Sequence, residues 1–206
     1  PSMLRKLTAR DSFAPLFVEQ FKVKPSDFAT DTIMFNLGSN DFNAHPTEAR
    51  RVMEQLRGDA RIYVHPNGGH PALAPQQVGA VRLWLRHVIF GDPLPDIRPP
   101  VVNVGEGTLG FGAVIEQPEG VEAVELCHAY FREKPWPGPA SREPMPHKNA
   151  DWKITPLAKR NGHHTATLKT NGANLDRLHY YIRARVRLGQ VSGWLSSPVH
   201  QLQEKQ

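Results

Sequence analysis

The chain has one cysteine, Cys127, in 206 residues. That excludes an internal disulfide and a thiolate cage for zinc, which needs at least two sulfurs. No apolar stretch approaches the ~20 residues of a membrane-spanning helix, and there is neither a low-complexity run nor an internal repeat. Hydrophobic residues at 39% and charged residues at 22% describe a globular protein, long enough for one ample domain or two lean ones. The chain opens at Pro1 with neither an initiator Met nor a signal-like apolar core, and reads as a trimmed or truncated product. Proline is abundant, with nineteen residues, roughly 9% against a usual ~5%. Many connections must therefore be loops or strand edges, which argues against an all-helical bundle. A net charge of +5 with ten histidines permits acidic partners without singling out nucleic acid. The compartment stays open, since one cysteine suits either side of a membrane.

Two rhythms divide the chain. Thr32 to Leu37 is short, almost continuously apolar and stopped by Gly38, as expected of a strand covered on both faces. Pro46 suits a first helical turn, and Ala49, Val52, Met53 and Leu56 recur at helical spacing up to Gly58. Arg61 to His65 predicts a second strand. After Pro75 a second helix carries Val78, Val81, Trp84, Leu85, Val88 and Ile89 on one side and ends at Gly91. A strand, helix, strand unit of this length pairs its strands in parallel. The proline-dense stretch from Gly91 to Pro100 reads as a linker, with a boundary near residue 98. Beyond it Tyr180, Ile182, Ala184, Val186 and Leu188 alternate with His179, Tyr181, Arg183, Arg185 and Arg187, a half-buried strand with a basic outer stripe. Val121 to Leu126 alternates too, Asn161-Gly162 and Asn171-Gly172 predict hairpin turns around Thr165 to Leu168, and Pro135 to Pro146 reads as a long loop. About seven short strands imply an antiparallel sandwich of immunoglobulin or fibronectin-III kind. The expectation is α/β plus all-β, residues 1–98 forming the first part and 99–206 the second.

Ligands of open parallel sheets bind beyond the carboxyl ends of the strands. Asp41 lies just past the first predicted strand and His70 just past the second, so neighbouring strands bring an acid and an imidazole to one edge. Asp41 would fix the His70 tautomer and leave Nε2 free to take a hydroxyl proton. Acid then histidine is the α/β-hydrolase order, in which the serine comes first. No serine here, at positions 2, 12, 26, 39, 141, 192, 196 or 197, lies in Gly-x-Ser-x-Gly, and Cys127 lacks flanking glycines. The nucleophile and oxyanion hole are expected upstream of residue 1.

Leu37-Gly38-Ser39-Asn40-Asp41-Phe42, His65-Pro66-Asn67-Gly68-Gly69-His70 and Ala74-Pro75-Gln76-Gln77 resemble the acid loop, the histidine loop and the opening of the final helix in one branch of the α/β-hydrolases. That branch comprises the dienelactone hydrolase and acetyl-xylan-esterase-like proteins, with relatives of the PhoPQ-activated pathogenicity-related proteins. Many continue into a β-sandwich, and Tyr180 to Val186 with Ser196-Ser197-Pro198 is similar to its closing strand. The resemblance covers about residues 12 to 200. It implies a serine ester or acyl hydrolase acting on a small-molecule or polysaccharide-linked ester, with no metal or organic cofactor, no nucleic acid and no membrane span. A second chain carrying the rest of the core is a partner this reading allows; alone, the 206 residues should be weak or inactive.

Blander readings stand beside it. Asp41 could close an Asx turn, and His70 could be an exposed turn residue. His65 and His70 could share a metal, although no third ligand is evident. His163 and His164 follow a turn and should be solvated, Trp152 and Trp194 should be sandwich core or, alternatively, a sugar platform, and the arginines at 183, 185 and 187 should be a wet sheet face. The rival function is a noncatalytic module in which the sandwich binds a polysaccharide or a protein and the α/β piece is a scaffold remnant.

Overall fold

The computed structural model describes residues 32–41, 46–54, 56, 58–69, 74–131 and 150–202. In chain order these form β1 (Ile33–Gly38), α1 (Pro46–Met53), β2 (Ala60–His65), α2 (Pro75–Phe90), β3 (Asp96–Gly105), β4 (Thr108–Glu116), β5 (Val121–Tyr130), β6 (Lys153–Pro156), β7 (Ala158–Arg160), β8 (His163–Lys169), a 3-10 turn (Leu175–Arg177), β9 (Leu178–Leu188), β10 (Val191–Ser196) and β11 (His200–Gln201). They build two sheets. One is ordered β1-β2-β10-β9-β5-β6, with β11 also paired to β9; the other is β3-β4-β8-β7.

The expected parallel pair is there. β1 and β2 run together from Ile33↔Ala60 to Gly38↔His65, and the remaining pairings of both sheets are antiparallel. Among the described residues the parallel portion is thus two strands wide. It is also continuous with the sandwich, because β2 joins β10 at Ile62↔Ser196. The Ser196 hydroxyl completes that junction, accepting from the Val64 N–H at 3.0 Å and donating to the Ile62 carbonyl. Residue 98 falls inside β3 rather than in a linker. Pro99 and Pro100 are tolerated there because β3 is an edge strand whose register slips between Arg98 and Val101, so the missing N–H groups break no regular ladder.

The main apolar cluster lies between the two sheets, with Leu109 and Phe111 of β4 facing Leu126, Ile182 and Ala184. Leu83 of α2 and Leu195 of β10 extend it. A second cluster occupies the other face of the long sheet, where Ala49 and Met53 of α1 meet Phe35, Leu37, Ile62 and Val64, and where Cys127, Phe131, Trp152 and Tyr181 are packed. Trp152 is therefore buried, but outside the space between the sheets.

Of the six residues expected on the inward side of α2, Val81 and Trp84 are half-buried and the other four are exposed. Gln77, Gly79, Ala80 and Leu83 are buried, while Val78, Leu85, Val88 and Ile89 are exposed, Ile89 at 64%. Gly79 lies against Ser192 and Gly193 of β10, so closely that a Cβ on Gly193 would overlap the Gly79 carbonyl. Backbone approach, and not the apolar stripe, decides which face turns inward.

Strand β9 is central, between β10 and β5, and is buried on both faces as far as Ala184. Its basic stripe is accordingly not uniformly wet. Arg183 is 8% exposed and pairs with Glu125 at 2.6 Å, while its guanidinium carbon lies 4.3 Å from the centre of the Trp194 ring. Arg185 and Arg187 are exposed and both pair with Glu122. Asn161-Gly162 turns β7 into β8 with both residues at positive φ, 49° and 82°, as a tight hairpin requires. Asn171-Gly172 has the same left-handed geometry but links β8 to β9, which belong to different sheets. It is a crossover turn and not a hairpin.

Candidate functional site at the carboxyl edge of the parallel pair

Parallel pairing delivers the loops after β1 and β2 to one rim, where they are joined residue by residue. Ser39 N–H donates to the His65 carbonyl at 2.9 Å and Asn40 N–H to the Gly68 carbonyl at 2.8 Å. The Asn67 N–H donates to Ser39 Oγ at 2.7 Å. Gly38 is obligatory at this contact, since a Cβ there would lie 2.6 Å from the Gly69 carbonyl oxygen and closer still to that of Gly68.

Two asparagines then fasten both loops to the segment that leads into β6. Asn40 Nδ2 donates to the Ala150 carbonyl and its Oδ1 accepts from Trp152 Nε1 at 3.1 Å. Asn67, at a φ of 59°, does the same for the Trp152 backbone, donating from Nδ2 to its carbonyl and accepting its N–H. The sequence marks Asn67 as a turn residue, but its partner lies 85 positions away and no local signal points to it.

Asp41 is the next residue on this rim. It is 3% exposed, and its N–H closes a turn on the Gly38 carbonyl at 3.1 Å. His70 lies outside the described residues, as does the His65–His70 pairing considered for a metal; the loop that leads to it is described as far as Gly69. His65 itself faces the Tyr63 hydroxyl through Nδ1 at 3.1 Å. Burial, and then the charge of Arg183, push its pKa below the usual imidazole range. Burial raises the Tyr63 phenol to about 12. Beyond the turn Gln77 Oε1 accepts the Ala74 N–H and Asn36 Nδ2 donates to the Gln77 carbonyl, anchoring the start of α2 to β1.

Among the described residues the other nucleophile candidates have structural partners. Ser39 and Ser197 are fully buried, Ser197 Oγ accepting from the Ile182 N–H. Ser196 joins β10 to β2, and Ser192 accepts from Arg185 Nε. Cys127 is buried and its thiol is pushed up to about 12 by desolvation, so it holds no thiolate near neutral pH. His163 is exposed, as expected, whereas His164 is half-buried. The described residues contain no cluster of three or more metal-ligating side chains and no helix long and apolar enough to cross a membrane.

No family model matches the chain and no curated protein matches it. Among solved structures it is similar to OgpA of Akkermansia muciniphila, seen as a catalytically inactive form in complex with an O-glycopeptide, at 12% identity and a TM-score of 0.28 over 50% of this chain and 27% of OgpA. It is also similar to a candidate carbohydrate-binding protein of Bacteroides uniformis, at 12% identity and a TM-score of 0.31 over 70% of this chain and 61% of that one. The chain spans about a quarter of OgpA and three fifths of the second protein. Similarity at this level leaves the function to be argued from the rim itself.

Proposed function

We propose that this chain carries the acid and the base of a serine carboxylic-ester hydrolase of the α/β-hydrolase kind, the nucleophile lying on polypeptide upstream of residue 1 or on a partner chain. In this reading β1 and β2 are the last two strands of the hydrolase sheet, and the sandwich is an immunoglobulin- or fibronectin-III-like appendage. The observation that carries it is the Gly38↔His65 register with direct hydrogen bonds between the two following loops. That junction fixes Asp41 to the same rim from which the chain proceeds, one residue past Gly69, to His70.

The chemistry then follows from the groups. A serine hydroxyl gives its proton to His70 Nε2 as the oxygen attacks the ester carbonyl. The imidazolium returns the proton to the leaving alkoxide, and water repeats the sequence on the acyl-enzyme. Asp41 holds the Nδ1 proton and offsets the imidazolium charge. Two further features support material beyond these strands: β1 has no partner on its outer edge among the described residues, and the apolar side of α2 is exposed. The rival binding module wants an aromatic shelf; Trp152 is buried, and Trp194 and Tyr130 of the described sandwich strands are only half-buried, Trp194 with Arg183 lying over its ring.

The test is an esterase assay with p-nitrophenyl acetate on a protein extended upstream to include a Gly-x-Ser-x-Gly segment. Replacing His70→Ala or Asp41→Asn should lower kcat on the order of 10⁴-fold, as loss of a triad member does. Turnover unchanged in the His70→Ala protein defeats the proposal.

A further inference from the structure

The opposite rim of the parallel pair holds a cavity of about 360 Å³ that shares no residue with the loops described above. Its walls come from separate elements: Arg50, Met53 and Glu54 of α1, Asp59 to Ile62 at the head of β2, Pro95 to Pro99 at the start of β3, and Leu195, Ser196, Pro198 and His200 near the end of the fold. The volume is that of a small-ligand pocket.

Its polar groups are unevenly matched. Arg61 is held by Asp59 at 2.5 Å, and Arg98 by Asp96 at 3.0 Å and Glu116 at 3.1 Å. Among the described residues Arg50 has only Glu54, at 3.7 Å, an ion pair too long to be a hydrogen bond. Arg50 Nε and His200 Nε2 are both buried without a hydrogen-bond partner among the described residues, an arrangement that costs free energy until an acceptor arrives. The two residues sense each other, since after burial the Arg50 charge is what lowers the His200 pKa, to about 4. One guanidinium is therefore only loosely paired, beside a neutral imidazole.

We propose that this cavity binds a small organic carboxylate, its charge held by Arg50 and His200 and its hydrocarbon body against Met53, Ile62, Ile97 and Leu195. A single negative charge matches the one loosely paired guanidinium. A phosphate dianion would bring its second charge towards Glu54, Asp59 and Asp96, which line the same space. A cation finds Asp59 and Asp96 already taken by Arg61 and Arg98. Much of the lining is aliphatic or proline, from Met53, Ile62, Ile97, Leu195, Pro95 and Pro99, which suits an alkyl chain better than a polyhydroxylated body.

Bound carboxylate would also favour the imidazolium of His200, so binding should draw a proton from solvent. The other charged groups around the cavity are Glu54, Asp59, Arg61, Asp96 and Arg98. The Tyr180 ring, stacked 6.1 Å from His200, stays neutral between about pH 5.5 and 8. Affinity should rise as pH falls from 8 to about 5.5.

The experiment is calorimetric titration of the 206-residue chain with sodium hexanoate at fixed ionic strength, beside hexan-1-ol, hexylammonium and inorganic phosphate. Hexanoate should bind saturably and at least about tenfold more tightly than each of the others. Arg50→Met should lose about tenfold in affinity, with Arg50→Lys between it and the parent, and His200→Gln should remove the pH dependence. Both arginine variants should keep the parent's melting temperature, because the side chain is 39% exposed and its ion pair is long. Hexanoate binding no tighter than hexanol, a preference for phosphate, or unchanged affinity in folded Arg50→Met overturns the proposal. None of these readouts involves Asp41 or His70.

Discussion

The two rims of the β1–β2 pair use polar side chains in opposite ways. At the carboxyl rim Ser39, Asn40 and Asn67 are engaged in holding two loops and the segment around Trp152 in one arrangement. At the amino rim Arg50 and His200 each keep a buried nitrogen without a partner among the described residues, beside an open cavity. The contrast separates two requirements. Proton relay demands fixed placement of groups that do not move on binding, whereas recognition of an outside ligand demands hydrogen-bonding capacity held in reserve. Damage at the first rim should therefore appear as lost stability, and damage at the second mainly as lost binding.

The sharpest way to break this contrast is at Gly38. A Gly38→Ala change places a methyl group against the Gly68 and Gly69 backbone and should cost about 3 kcal/mol, lowering the thermal midpoint by roughly 6–12 °C in a chain of this size. A midpoint within a degree of the parent would show that the loop junction yields, and the rigid-rim argument would fail with it. Asn40→Ala should come next, at about 2 kcal/mol, because it strips both Trp152 Nε1 and the Ala150 carbonyl of their partner. Denaturant unfolding measures it, and Asn40→Asp, which keeps the acceptor for Trp152, should recover part of the loss.

The smallest effect tests the amino rim through pH. His200 is pulled down to about 4 in the folded chain by burial and then by Arg50, while an unfolded histidine titrates near 6.5. As pH falls through 6.5 the unfolded chain takes up a proton that the folded chain refuses, so stability present above that pH is lost progressively towards 4. His65, His128 and His164 are shifted in the same direction. His200 should account for about 1–2 kcal/mol of the loss once its partial exposure is allowed for. Unfolding curves at pH 7 and pH 5 should differ less in His200→Gln than in the parent.

Much of the scaffold is legible in sequence because short apolar runs, proline and glycine act locally. The runs ending at Gly38 and His65 give β1 and β2, Pro75 and Gly91 bound α2, and Asn161-Gly162 gives its hairpin. What escapes is set by distant packing. The stripe of Val78, Leu85, Val88 and Ile89 reads as an inward face, yet Gly79 against Gly193 turns the helix the other way. Arg183 reads as one of three wet arginines until Glu125 and Trp194, from neighbouring strands, enclose it. Pro99-Pro100 reads as linker because a bulged edge strand has the same local chemistry. At the candidate site the placement of Asp41 beside the histidine loop follows from strand order alone. The asparagine clamp on Trp152 and the arginine-lined cavity both depend on residues far apart in sequence.

The junction between β2 and β10 carries one last consequence. A single residue pair, Ile62↔Ser196, together with the Ser196 hydroxyl, links the two strands, whereas β9 pairs along most of its length with both β5 and β10. So narrow a seam is where the sheet should come apart first. Under mild denaturant or mechanical load β1, α1 and β2 are placed to peel away as one cooperative unit, leaving α2 docked on the sandwich, with their amides exchanging ahead of those in β9.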